Sequence, residues 1–173
     1  VLHMPTPLDG DVEQQGDLDL TSPTLEQGEQ LPDWTGYAND NENPPLEISG
    51  VPDDAESLVL VLDDPEAEPV VGHVYDHWLV WDIDADHEAI PRDWDAEDAT
   101  VGYNDYVENE WGGPAPPEGS HTYRFKLLAL ADEVGAPDVT RKQRLGSMIF
   151  SQTEILASTQ LEATYDAEQG TIF

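Results

Sequence analysis

The sequence predicts a mostly β fold, and three observations carry that prediction. Short apolar stretches recur along the chain, separated by Gly, Pro, Asn and Asp, the punctuation of strands and turns. One stretch, Leu58 to Leu62, is unbroken in its apolarity, as expected of a strand buried on both faces. A helical pattern is confined to the region after Pro137.

In chain order, residues 1–16 (VLHMPTPLDGDVEQQG) are polar and acidic with no sustained period, and they read as a flexible lead-in to a single domain over residues 17–173. Strands are expected around Leu18 to Leu20, Leu46 to Ile48, Leu58 to Leu62, Trp78 to Ile83, Tyr123 to Leu130 and Leu161 to Tyr165. In the fifth, a period of two puts His121, Tyr123, Phe125 and Leu127 on the inward face, with Thr122, Arg124 and Lys126 on the other. Thr140 to Leu145 reads as helical, with Gly146 as its breaker. Ser151 and Glu154 have the spacing of a capping box ahead of Ile155 and Leu156. Arg141, Lys142 and Arg144 are half of the basic residues, and they read as partners of acidic neighbours or as favouring the end of a short helix.

The chain has 173 residues, with 38 Asp and Glu against 6 Lys and Arg, for a formal net charge of −32. Its apolar share of 38%, including 5 Trp, 6 Tyr and 3 Phe, suffices for a core, so the charge does not signal disorder. The acids are spread along the chain and form no tail. The first basic residue is Arg92. That leaves no basic face to track nucleic-acid phosphates and no polybasic patch for an anionic membrane. At about 1 M salt the Debye length is roughly 3 Å, and neighbouring like charges barely interact. The charge therefore reads as adaptation to a very salty solvent, a halophilic source, in which it also preserves solubility.

With no cysteine there is no disulfide, no thiol catalysis and no Cys-ligated zinc. The longest purely apolar runs, Leu58 to Leu62 and Leu127 to Ala131, are far too short to span a bilayer. A cytoplasmic location is expected. Because position 1 is Val, export after removal of a signal segment stays open.

Two constellations can carry chemistry. Asp63-Asp64-Pro65-Glu66 directly follows the buried strand, and then come Pro69, Gly72 and the run from His73 to His77 and Trp78. Carboxylates at a rigid strand end beside histidines make a pocket of mixed acid and base character. The strand-end position is what lifts Asp64 above the acidic background. His73 and His77 have the spacing of a helical metal pair. The residues around them favour extended structure, where four residues span roughly 13 Å, so no shared metal is expected. The second constellation is Gly102-Tyr103-Asn104-Asp105, then the loop Trp111 to Gly119, then Ser120, His121, Thr122 and Tyr123. Its prolines fix φ and its glycines admit otherwise forbidden conformations, so the loop is shaped. A His imidazole and a Tyr hydroxyl side by side can donate to an oxyanion, or can be satisfied by backbone carbonyls.

Taken in order, DDPEAEP, DHWLVWDI, GYND and GGPAPPEGSHTYRFKLLAL resemble the phosphatidylethanolamine-binding protein family, and more closely its bacterial and archaeal Raf-kinase-inhibitor-like branch. The likeness runs from about Leu18 to Tyr165. It implies packed antiparallel β-sheets, a short C-terminal helical element, and a small surface pocket for phosphate or another anion such as a phospholipid headgroup. It also implies a homodimer, as in prokaryotic relatives, and no cofactor. Asp64 matches the first Asp of the family's DPDAP motif, and His77 matches the site histidine that precedes an aromatic, here Trp78. Pro116, His121 and Tyr123 match the proline, histidine and tyrosine of its GxPP…HRY motif. With Glu66 and Ala115 these form the implied ligand-binding set. Thr122 stands where the family usually has Arg, Glu66 replaces the second Asp of DPDAP, and Glu68 intervenes before Pro69.

An anion pocket that contains a carboxylate poses a problem of sign. Asp64 repels phosphate unless His77 or His121 is protonated, or unless Asp64 orients a histidine that donates outward. The expected function is non-catalytic binding of a small anion, stronger at lower pH. Inhibition of a protease or kinase by contact is the alternative, since family members are known for such roles. Hydrolysis, with a histidine as general base, is the third reading, and no Ser sits in a GxSxG elbow. The charge reading has its own test: equilibrium unfolding should show strong stabilisation between dilute and multimolar KCl, and indifference to salt refutes it.

Overall fold

Strand β3, Ser57–Asp64, sets the frame: its sequence SLVLVLDD is buried at every position. The computed structural model describes residues 8–170. In it, β3 is the middle strand of a five-stranded antiparallel sheet whose other members are β4 (Tyr75–Asp84), β6 (Thr100–Val101), β7 (Ser120–Leu130) and β8 (Ile155–Asp166). The order is β6-β4-β3-β7-β8. A smaller antiparallel sheet has the order β1-β2-β5, from Asp19–Thr21, Leu46–Ser49 and Ala89–Ile90. The mostly β architecture of packed sheets expected from the sequence is the one observed.

Alternation along β3 divides the core in two. Leu58, Leu60 and Leu62 face the small sheet, where they meet Leu20, Leu46, Ile48 and Ile90. Val59 and Val61 face the other way, together with Leu79, Trp81, Leu128 and Leu130. This outer layer is covered by Leu8 and by Leu145 and Ile149 of a helix.

That helix is the expected C-terminal helical element, with different bounds. A four-residue helix α1 spans Glu68–Val71, and the later helix α2 runs over Lys142–Gln152, straight through Gly146. Gly146 is buried with Leu145 and Ile149, and packing overrides the low helix propensity of glycine. Ser151 caps nothing downstream. Its hydroxyl donates back to the Ser147 carbonyl at 2.8 Å, and Ile155 and Leu156 open β8. Lys142 stands at the start of α2, the end that disfavours cations; ion pairs hold it there.

Residues 8–16 also depart from the flexible lead-in that composition suggested, while residues 1–7 lie outside the described residues. Leu8 is fully buried. The Val12 amide donates to Gln160 Oε1 at 2.8 Å, and Gln15 pairs with Ser158 through both backbone groups.

Beneath this segment lies a buried ionic cluster, where Arg124 and Lys126, expected simply on the outer face, are covered. Asp63 accepts from Arg124 Nε at 2.7 Å, Lys126 Nζ at 2.7 Å and Lys142 Nζ at 3.1 Å. Lys126 Nζ also donates to the Leu8 carbonyl at 2.6 Å, and Lys142 Nζ is 2.5 Å from Asp76. Burial alone would raise the Asp63 pKa, but Lys142, Arg124 and Lys126 outweigh it and hold it below the ordinary carboxylate value. Asp76 is pushed up to about 6, chiefly by burial. Lys126 is pulled down to about 8 by the same cause, against the pull of Asp63.

Two substitutions test the cluster. Asp63→Asn leaves the cations without their shared partner and should cost about 3–5 kcal/mol in urea unfolding at neutral pH. Asp63 stabilises the fold above the ordinary carboxylate range, and this is lost as pH falls through its depressed pKa. Asp76 works in the opposite sense: its contribution is full below about 3.8 and is lost as pH rises through about 6. Asp76→Asn should therefore gain stability relative to the wild type across that interval. A constant difference between the two overturns the assignment.

Candidate functional site

The site sits where β3, β4 and β7 end together. Leu62 pairs with Trp78 and Asp63 with Asp76, so β4 advances two residues for one on β3, and His77 is the extra residue of a bulge. The bulge leaves Asp76 in the ionic cluster and turns His77 toward Tyr123, with ring centroids 5.2 Å apart. Alternation on β3 sends Asp64 the opposite way from Asp63. On β7, Arg124 pairs in register with Asp63, and His121 and Tyr123 share the face toward Asp64 that their parity predicts.

Each polar group here is anchored from behind. Asp64 Oδ1 accepts from the Glu66 amide at 2.9 Å, capping a 3-10 turn over Pro65–Ala67. Asp64 Oδ2 accepts from His121 Nδ1 at 2.6 Å. His77 Nδ1 donates to the Gly112 carbonyl at 2.7 Å, and the Gly112 amide returns a bond to the His77 carbonyl at 3.0 Å. Both histidines thus keep Nε2 as the ring nitrogen not engaged in these bonds.

The loop reaches His77 only because it carries glycine. A Cβ on Gly112 would lie 2.4 Å from the Tyr106 ring, and one on Gly113 would lie 2.1 Å from the Thr35 carbonyl. Buried Asn104 tightens the same loop by donating to the Glu110 carbonyl at 2.9 Å and accepting from the Tyr106 and Glu108 amides.

These elements enclose a cavity of about 190 Å³, lined by Asp64, His77, His121, Ala115 and Pro116 from the expected set. Tyr75, Tyr106, Val70 and Val71 line it too and were not expected. Tyr75 precedes His77 by two on the same strand, and Tyr106 follows Asn104 by two, which are the signals available in the sequence. The cavity opens beside a wider cleft that shares Val70, Pro117 and His121 and is edged by Glu66, Glu68 and Glu118.

Three expected residues are placed differently. Glu66 lines the cleft, and its carboxylate accepts from the Thr122 amide. Trp78 is a core residue, edge-on to Trp111 at 5.2 Å, because its pairing with Leu62 points it between the sheets. Tyr123 lies fully buried behind the cavity, its hydroxyl against the Ala115 backbone. Burial raises the pKa of Tyr123 and of Tyr106, with Asp64 adding to it, so both hydroxyls keep their protons. Burial lowers the pKa of His77, against the opposing effect of the Gly112 carbonyl and Asp64.

The family model described as phosphatidylethanolamine-binding protein matches residues 21–166, nearly the whole of this fold. The chain belongs to the phosphatidylethanolamine-binding protein family. A UPF0098 protein of Methanothermobacter thermautotrophicus is 42% identical over 101 residues, which span 54% of this chain and 65% of that protein's length. A UPF0098 protein of Chlamydia trachomatis is 31% identical over 161 residues, covering 87% of this chain and 100% of the relative. The crystal structure of a phosphatidylethanolamine-binding protein homolog from Chlamydia trachomatis superposes with a TM-score of 0.81 at 27% identity, over 88% of this chain and 99% of that one.

Proposed function

We propose that this protein is a non-catalytic binding protein for small anions, either free phosphate or the phosphoryl headgroup of a lipid, met by His77 and His121 in the cavity that Asp64 also lines. The observation that carries this reading is the direction of the anchoring. Asp64 spends one oxygen on the Glu66 amide and the other on His121, so its charge is turned inward and two imidazoles are left to meet the ligand. Asp64 thereby acts on the ligand through His121, and with both Nδ1 atoms donating inward, a donor toward the anion requires a proton on Nε2.

A second reading has one observation in its favour. Val70 and Val71 on α1 line the cavity yet are 60% and 48% exposed, an apolar edge at the mouth suited to contact with a protein such as a protease or kinase. The motif order of the Raf-kinase-inhibitor-like branch agrees with it. For either reading, the net charge of −32 supports work in a very salty solvent.

Histidine ring resonances followed by NMR during titration with inorganic phosphate, and separately with a water-soluble headgroup, decide between them. Anion binding shifts His77 and His121 while His73 and His87 stay in place. Absence of a shift confined to the cavity pair sinks the anion reading.

A further inference from the structure

An anion in this cavity meets no fixed cation. Neither the cavity nor the adjoining cleft is lined by Lys or Arg. All six basic side chains are placed elsewhere: Arg92 on Glu42, Arg141 on Asp105, Arg144 exposed on α2, and Arg124, Lys126 and Lys142 on Asp63. The groups near His121 are carboxylates or neutral. Asp64 comes from β3, Glu66 from the 3-10 turn, Glu68 from α1 and Glu118 from the loop before β7. His77 of β4 and Tyr123 of β7 stand on the inner side, and Tyr165 of β8 is the strand partner of His121.

Positive charge for the ligand must therefore arrive as a proton, and the two imidazoles are unequal in their capacity to hold one. His77 is fully enclosed, and its Nδ1 faces a neutral carbonyl. His121 is partly open, and its Nδ1 faces the carboxylate of Asp64, which the Glu66 amide holds in place. An imidazolium at His121 is compensated on one side by Asp64 and on the other by the anion.

Resting on the anion-binding reading above, we propose that each small anion entering this cavity brings one proton from solvent, held on His121 as an imidazolium between the anion and Asp64. Asp64 is a positioning residue in this scheme: it touches the histidine and not the ligand.

Sulfate is the probe, because it carries no titrating proton of its own near neutral pH. Calorimetric titration at fixed ionic strength, at a pH above the ordinary histidine range and in two buffers of different ionisation enthalpy, should show uptake of one proton per sulfate. Affinity should fall about tenfold per pH unit above the ordinary histidine range. Asp64→Asn keeps the side chain's shape and removes its charge, and it should flatten that pH profile. In the wild type, NMR should show the His121 ring moving to imidazolium shifts as sulfate is added, a measurement that needs no variant to fold. Sulfate binding with the same heat in both buffers, or an unchanged pH profile in Asp64→Asn, overturns the proton-linked scheme and leaves the anion site standing. Absence of sulfate binding at every pH overturns the anion site itself.

Discussion

One carboxylate organises this molecule. Asp63 is completely buried and gathers three of the six basic side chains in the chain. Those cations come from β7 and α2, and the N-terminal segment adds its carbonyls, so a single charge joins elements distant in sequence. A buried ion of this kind is tolerable only when fully paired. The geometry of its partners is thereby held, above all the register that sets Arg124 opposite Asp63.

The site depends on that register. Because Asp63 and Asp64 are consecutive on a strand, the first cannot be fixed on the outer face without presenting the second on the inner one. The same holds across the sheet, where Arg124 faces outward and Tyr123 inward. The bulge at His77 is the exception to alternation, and it lets Asp76 serve the cluster while the next residue serves the cavity. The chain thus separates two electrostatic regimes across one layer of backbone. One side holds cations saturated by carboxylates, and the other holds imidazoles with no fixed cation among the cavity lining.

Much of this was legible in the sequence. The unbroken apolarity of Leu58 to Leu62 foretold a central strand, parity placed His121 with Tyr123, and the strand-end position singled out Asp64. What escaped was decided by distant partners. Nothing local distinguishes Trp78 as a core residue from Trp78 as a pocket wall; the extra residue at His77 decides it. Gly146 reads as a helix breaker until the apolar layer that covers it is known. Arg124 and Lys126 read as solvent-facing because their covering segment lies more than a hundred residues earlier.

That covering segment has a consequence for folding. The Leu8 carbonyl bonds to a side chain 118 positions later, and the Val12 amide to one 148 positions later. During synthesis these residues precede their partners by more than a hundred positions. Contacts of such long range close slowly. Sealing Lys126 from water therefore requires a closure across more than a hundred residues, and its shielding is only as durable as that closure.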